Sequence, residues 1–139
     1  MAVKTLRFTL ETKGETDIID ITRNVEKAIK DSGISSGIAT VFVPGSTAGI
    51  TTIEYESGAI KDFQRAVERL IPKGIPYEHD ARWGDGNGYS HIRASFLGPS
   101  LTVPFSSSRL LTGTWQQIVL VDFDNRPRRR EVIIQVVGE

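Results

Sequence analysis

Side chains able to do acid–base or metal chemistry are concentrated in one stretch, His79 to Pro104. It holds both histidines of the chain, His79 and His91, with Asp80, Asp85 and a Gly-rich turn, Gly84 to Gly88. An imidazole can take up or release a proton near neutral pH, and its neutral form is a metal ligand. Carboxylates are hard oxygen ligands for divalent ions. His79 and His91 match no short zinc motif, so the fold, not sequence spacing, has to bring them together. Asp85-Gly86-Asn87-Gly88 reads in two ways. It is good turn chemistry, and it could also aim backbone N–H groups at a phosphate as an anion nest. The lysine and pattern of a Walker loop are missing.

Other polar positions add to this set. Gly45 to Gly49 is a small, hydroxyl-bearing segment between two strand-like runs. It is either a kink or a place where a ligand meets the backbone, with Ser46 and Thr47 as donors. Arg109 stands alone after a serine loop and could clamp a phosphate or carboxylate bidentately. Arg128-Arg129-Arg130, beside Glu131 at a strand start, reads as solvated edge charge. Trp115, at the start of a strand, suits the core or a subunit contact better than catalysis.

The elements that must position these groups follow from periodicity. Val3 to Leu10 alternates, with Leu6, Phe8 and Leu10 on one face, as a half-buried strand does. Asp17 to Ile19 predicts a brief second strand. Ile21, Val25, Ala28 and Ile29 make one apolar stripe, predicting a helix over Asp20 to Ser32 with Asp20 as N-cap and Gly33 just past its end. Gly37 to Pro44 is a nearly continuous apolar run, predicting a central strand covered on both faces. Ile50 to Tyr55 is again strand-like. Ile60, Phe63, Val67, Leu70 and Ile71 predict a second helix over Ser57 to Ile71, capped by Ser57 and stopped by Pro72 and Gly74.

Beyond the loop, Tyr89 to Leu97 alternates Tyr89, His91, Arg93 and Ser95 against Ile92, Ala94 and Phe96. That predicts a strand with a polar face, paired as a hairpin with Ser100 to Phe105 across Gly98-Pro99. Trp115 to Phe123 is a strong strand, Asp124 to Pro127 a turn, and Arg128 to Val137 a last strand. The fold class is α+β: mostly antiparallel sheet layers with two main helices, in a single compact domain over residues 1–139. Two long apolar strands are much to cover with two helices, so neighbouring subunits are expected to share the work.

Composition excludes several functions. Hydrophobic residues at 39% and charged residues at 24% are those of an ordinary globular domain. Lys+Arg and Asp+Glu each total 17, so there is no basic excess for nucleic acid. Without cysteine there is no disulfide, thiolate nucleophile or Cys-based zinc site. No apolar run approaches the roughly 20 residues of a membrane span, and the N-terminus lacks a signal-peptide core. A cytoplasmic protein without membrane or nucleic-acid partners is expected.

Taken together, these segments carry a family resemblance. Gly45-Ser46-Thr47-Ala48 with Glu54, His79-Asp80, Asn87-Gly88, Ser90-His91-Ile92-Arg93-Ala94-Ser95, Leu97-Gly98-Pro99-Ser100-Leu101, Arg109-Leu110 and Gly113-Thr114-Trp115-Gln116 resemble the YjbQ family. The resemblance runs from the first strand to Val137-Gly138-Glu139. It departs at Gly45, where many members carry His, at Tyr89, where some carry His, and at Ser108, where many carry Gly. It implies an α+β homotrimer and a secondary thiamine-phosphate synthase activity, in which a hydroxymethylpyrimidine diphosphate joins a thiazole phosphate and pyrophosphate leaves.

On that expectation His79, Asp80 and His91 are the catalytic candidates. Ser46, Thr47, Asn87 and Arg109 are candidates for binding a small phosphorylated substrate. His79, His91 and Asp85 are the candidate ligands of a divalent ion, Zn or Mg. The alternatives are a non-catalytic metal- or anion-binding oligomer and a metal-dependent hydrolase.

Overall fold

The computed structural model describes residues 1–139. In chain order the elements are β1 (Ala2–Thr12), β2 (Asp17–Asp20), α1 (Thr22–Ser32), β3 (Gly37–Phe42), β4 (Ala48–Ile53), α2 (Ser57–Leu70), α3 (Glu78–Trp83), α4 (Gly88–Leu97), β5 (Ser100–Ser106), β6 (Arg109–Leu110), β7 (Gln117–Asp122) and β8 (Arg128–Gly138). A five-stranded sheet has the order β1-β8-β3-β5-β6, and a three-stranded sheet the order β2-β7-β4. Every pairing is antiparallel. The architecture is therefore α+β in a single compact unit.

The two sheets bury their facing surfaces against each other and against α1. Ala39 and Val41 of β3, Ile50 of β4, Val103 and Phe105 of β5, Ile118 and Leu120 of β7, and Val132, Ile134 and Val136 of β8 share this core with Val25 and Ile29 of α1. Burying a side chain of this kind fully contributes about 1.5–3 kcal/mol. The other face of the small sheet packs a second cluster, Ile18, Val119, Val121 and Phe123, beneath Ala94 and Leu97 of α4 and Ile60, Phe63 and Val67 of α2. The strand covered on both faces is thus β7, buried from Ile118 to Asp122, not β3. On β3, Ala39 and Val41 are buried while Ile38 and Phe42 face outward.

The structure corrects the reading of Tyr89 to Leu97, which is the helix α4 and forms no hairpin with β5. Its buried residues are Gly88, Tyr89, Ser90, Arg93 and Ala94, the last four at a helical spacing. A serine and an arginine sit on the inward face, so sorting residues into polar and apolar gave a false period of two. Arg93 is satisfied there: Nε donates to the Ile71 carbonyl, Nη1 to the Thr16 hydroxyl and Nη2 to Glu68. Its guanidinium also lies 4.9 Å from the centre of the Tyr89 ring. The Tyr89 hydroxyl donates to the Glu15 carboxylate at 2.9 and 3.0 Å. Glu15 and Thr16 both have positive φ, 56° and 63°. Such positions cost of order 1–3 kcal/mol unless the surroundings hold them, and Tyr89 and Arg93 do so while fixing the start of α4.

Caps differ in detail. Glu56, not Ser57, caps α2, its carboxylate accepting from the N–H groups of Gly58 and Ala59 at 2.6 and 2.9 Å. Asp20 accepts from the Thr22 N–H and hydroxyl just ahead of α1, where Ile21 holds the cap position. The segment containing His79 and Asp80, read as loop, is the short helix α3. No helix is long and apolar enough to cross a membrane.

Candidate functional site

α3 and α4 fold back on each other across the turn Gly84 to Asn87. Gly84 and Gly86 have φ of 72° and 71°, the left-handed region that glycine enters without strain. Gly88, the first residue of α4, lets the two segments meet: a Cβ there would stand 2.6 Å from Tyr77 Cβ. The Gly88 N–H donates to Asp80 Oδ1 at 2.8 Å, so this carboxylate ties α3 to the N-terminus of α4.

The result is the pair His79 and His91, with ring centroids 4.3 Å apart and planes inclined by 38°. His79 Nδ1 lies 3.5 Å from Asp85 Oδ1 and 3.8 Å from Asp80 Oδ1. One potential ligand atom from each of His79, Asp80 and Asp85 falls within 4.8 Å of the others. His79 Nδ1 is inaccessible to solvent and has no hydrogen-bond partner, and the same is true of Asn87 Oδ1. Buried polar atoms are rarely left so, because each costs about 1–3 kcal/mol.

His79, Asp85, Asn87 and His91 open onto a polar cleft of about 400 Å³, walled also by Gly45, Ser46, Thr47, Trp83, Arg128 and Arg130. Burial pushes the His91 pKa below 6.5, and the neighbouring His79 pushes it the same way; Asp124, Asp85 and the Ser46 backbone pull upward without offsetting this. His91 is therefore a neutral imidazole at neutral pH.

Behind the cleft lies a buried ionic network. Asp122 and Asp124 are inaccessible. Arg130 Nε and Nη2 grip Asp122 in a fork at 2.7 and 2.9 Å. Arg128 Nε donates to Asp124 at 2.6 Å. Burial pushes the Asp124 carboxyl up, but bonds from Arg128, the Asn125 N–H, Asn87 and Thr47 together hold it below its usual value. Thr47 is absorbed here: its hydroxyl donates to Asp124 and accepts from Arg130. It has no proton left for a substrate, whereas Ser46 is exposed at the rim.

Of the residues singled out from sequence, the cleft therefore gathers His79, Asp85, Asn87, His91, Ser46 and Thr47, with Asp80 adjoining it through His79 and the Gly88 N–H. Arg109 is not among them within one chain. It lines a different cavity with Arg23, Lys27 and Lys30 of α1. Arg128 and Arg130 are a correction in the other direction. They lie at the start of β8, where Arg130 is buried and both side chains are bonded to the buried acids Asp122 and Asp124, so they are not solvated edge charge. The signal was present: Arg128 and Arg130 continue the inward alternation of Val132, Ile134 and Val136. Trp83, 67% exposed, and the acids at the end of the β7 strand were not singled out either. A separate apolar groove between α2 and α4, of about 340 Å³, offers only Arg93 as a charged group, and that is already bonded.

Residues 6–139 match the family model described as UPF0047 protein YjbQ-like. A UPF0047 protein of Archaeoglobus fulgidus is 36% identical over 132 residues, which is 95% of this chain and 100% of the relative. The UPF0047 protein YugU of Bacillus subtilis is 37% identical over 137 residues, 98% of this chain and 99% of the relative. Among solved structures, a protein of unknown function from Sulfolobus solfataricus superposes with a TM-score of 0.89 at 30% identity, covering 99% of this chain and 100% of its own. A hypothetical protein from Aeropyrum pernix gives 0.90 at 31% identity, with 98% and 99% coverage.

Proposed function

The chain belongs to the YjbQ-like UPF0047 family, and from that premise we propose that it is a metal-assisted enzyme acting on a small phosphorylated substrate, with thiamine-phosphate synthase chemistry as the specific reaction. One observation carries the reading: His79, Asp80 and Asp85 converge beside His91, with His79 Nδ1 buried and unpaired. A nitrogen–oxygen donor set of this kind fits a divalent ion, Zn or Mg, held by His79 and Asp85 with Asp80 and His91 adjoining. When bound, such an ion supplies charge neutralisation for phosphoryl oxygens or a departing pyrophosphate.

The chain's own residues do the rest. His91, held neutral by burial, can accept a proton from a substrate group in the cleft. Asp80, fixed by the Gly88 N–H, keeps α3 and α4 in register so that the two imidazoles stay together. Ser46 offers a hydroxyl at the rim, and Asn87 an amide oxygen already stripped of water.

The functional unit is a homotrimer. Support comes from the outer face of the large sheet, which no element of the chain covers. Val3, Val137 and Ile38 stand in one row across three strands, and Ile133 and Phe42 in another. The number three comes from the family resemblance. The test of function is metal analysis of freshly purified protein, then a screen with phosphorylated pyrimidine and thiazole substrates. Turnover that is lost on chelation and restored by Zn or Mg supports the reading. Bound metal without turnover favours a binding oligomer.

A further inference from the structure

Arg128 and Arg130 are more than partners for buried acids. Each spends part of its guanidinium on Asp122 or Asp124 and turns the remainder to the cleft. Arg128 uses Nε on Asp124, so neither of its terminal nitrogens has a protein partner, and the side chain is one-third exposed. Arg130 uses Nε and Nη2 and leaves Nη1 free. That Nη1 lies 3.0 Å from where a Cβ of residue 45 would stand, so glycine at this position leaves its approach open. The Arg130 side chain is itself nine-tenths buried and pinned on its far side. Both arginines wall the cleft that holds His79, Asp85 and His91.

We propose that Arg128 and Arg130 form the seat for the phosphate or pyrophosphate group of the substrate, with Asp122 and Asp124 acting as positioning residues behind them. This rests on the reading of the cleft as a site for phosphorylated substrates and assigns the group that reads the anion. Three free guanidinium nitrogens on two planar forks suit a tetrahedral, multiply charged acceptor better than a two-oxygen carboxylate. The acids fix the orientation, so little side-chain entropy is lost when an anion docks. They also balance both arginines, which leaves Asp85, with Asp80 adjoining it across His79, as the acids at the cleft without an arginine or lysine partner. The seat therefore holds its anion best once a divalent cation has met Asp80 and Asp85, and the two ligands bind with positive coupling.

The test is calorimetric titration of inorganic phosphate into the full chain in buffer containing Mn²⁺, with Mn²⁺ binding followed separately by electron paramagnetic resonance. Arg128 rather than Arg130 is changed, because its partial exposure lets Arg128→Gln fold; circular dichroism checks this. The expected result is at least a tenfold loss of phosphate affinity in Arg128→Gln with Mn²⁺ affinity within twofold of the parent. Equal phosphate affinity in both proteins, or no phosphate binding by the parent, overturns the seat. So does a parallel fall in Mn²⁺ affinity, which would make Arg128 a general support of the cleft. Arg128-dependent phosphate binding without any Mn²⁺ binding would instead sink the metal-assisted reading and leave the seat standing.

Discussion

At the scale of single residues, the site depends on where charge is denied water and where it is matched. Burial and the proximity of His79 both lower the His91 pKa. A histidine so depressed binds fewer protons folded than unfolded. The stability it contributes is complete above the unfolded value of about 6.5 and is lost as pH falls through the lower folded value. We predict an NMR titration midpoint for the His91 ring below 6.5, moving part of the way back in His79→Gln. A midpoint at or above 6.5 in the parent protein would show the ring to be solvated. Arg130 poses the opposite case, a charge already matched. Arg130→Met leaves Asp122 buried without its fork and should cost about 3–5 kcal/mol of unfolding free energy in a denaturant titration. A loss below 1 kcal/mol would mean that water reaches Asp122.

At the scale of elements, the decisive unit is the α3–α4 pair, and its hinge point is Gly88. A methyl group there meets Tyr77 Cβ at 2.6 Å and Asp80 Oδ1 at 3.0 Å. Gly88→Ala should push the helices apart, costing about 1–3 kcal/mol by overpacking. It should also lower divalent-metal affinity at least tenfold, because His79 and His91 ride on different helices. Thermal unfolding and metal titration read the two effects; unchanged metal affinity would show that the site does not need this close approach. This pair is also where sequence was least informative. The strands β1 and β4, β7 from Ile118 to Val121, β8 from Val132 onward and the helices α1 and α2 were legible because the faces they turn inward there are almost purely apolar. The period of α4 was hidden by Ser90 and Arg93 on its inward face, and α3 is too short to show a period at all. The crowding of His79, Asp80, Asp85 and His91 was legible as composition. Arg128 and Arg130 were misread because three adjacent arginines look solvated unless the acids at the end of β7 are seen to face them.

At the scale of the whole molecule, the two sheets and α1 enclose one core, while the outer face of the large sheet keeps Ile38 and Phe42 uncovered at 45% and 38% exposure. A stable interface needs about 800 Å² from each partner, and the face of a five-stranded sheet can supply it. Light scattering should find a particle near three times the 15.4 kDa chain mass, and Ile38→Lys with Phe42→Lys should release monomers. A parent protein that is monomeric at micromolar concentration would remove the assembly. The cleft beneath α3 and α4 is proposed to hold a divalent ion. Competition of the protein with a chromogenic chelator for Zn²⁺ tests it most directly. We predict one ion per chain, bound at least tenfold more weakly by His79→Ala and by Asp85→Asn and equally well by Glu26→Gln, Glu26 being in the separate cavity on α1. Equal affinity in all four proteins, or no binding by the parent, would contradict it.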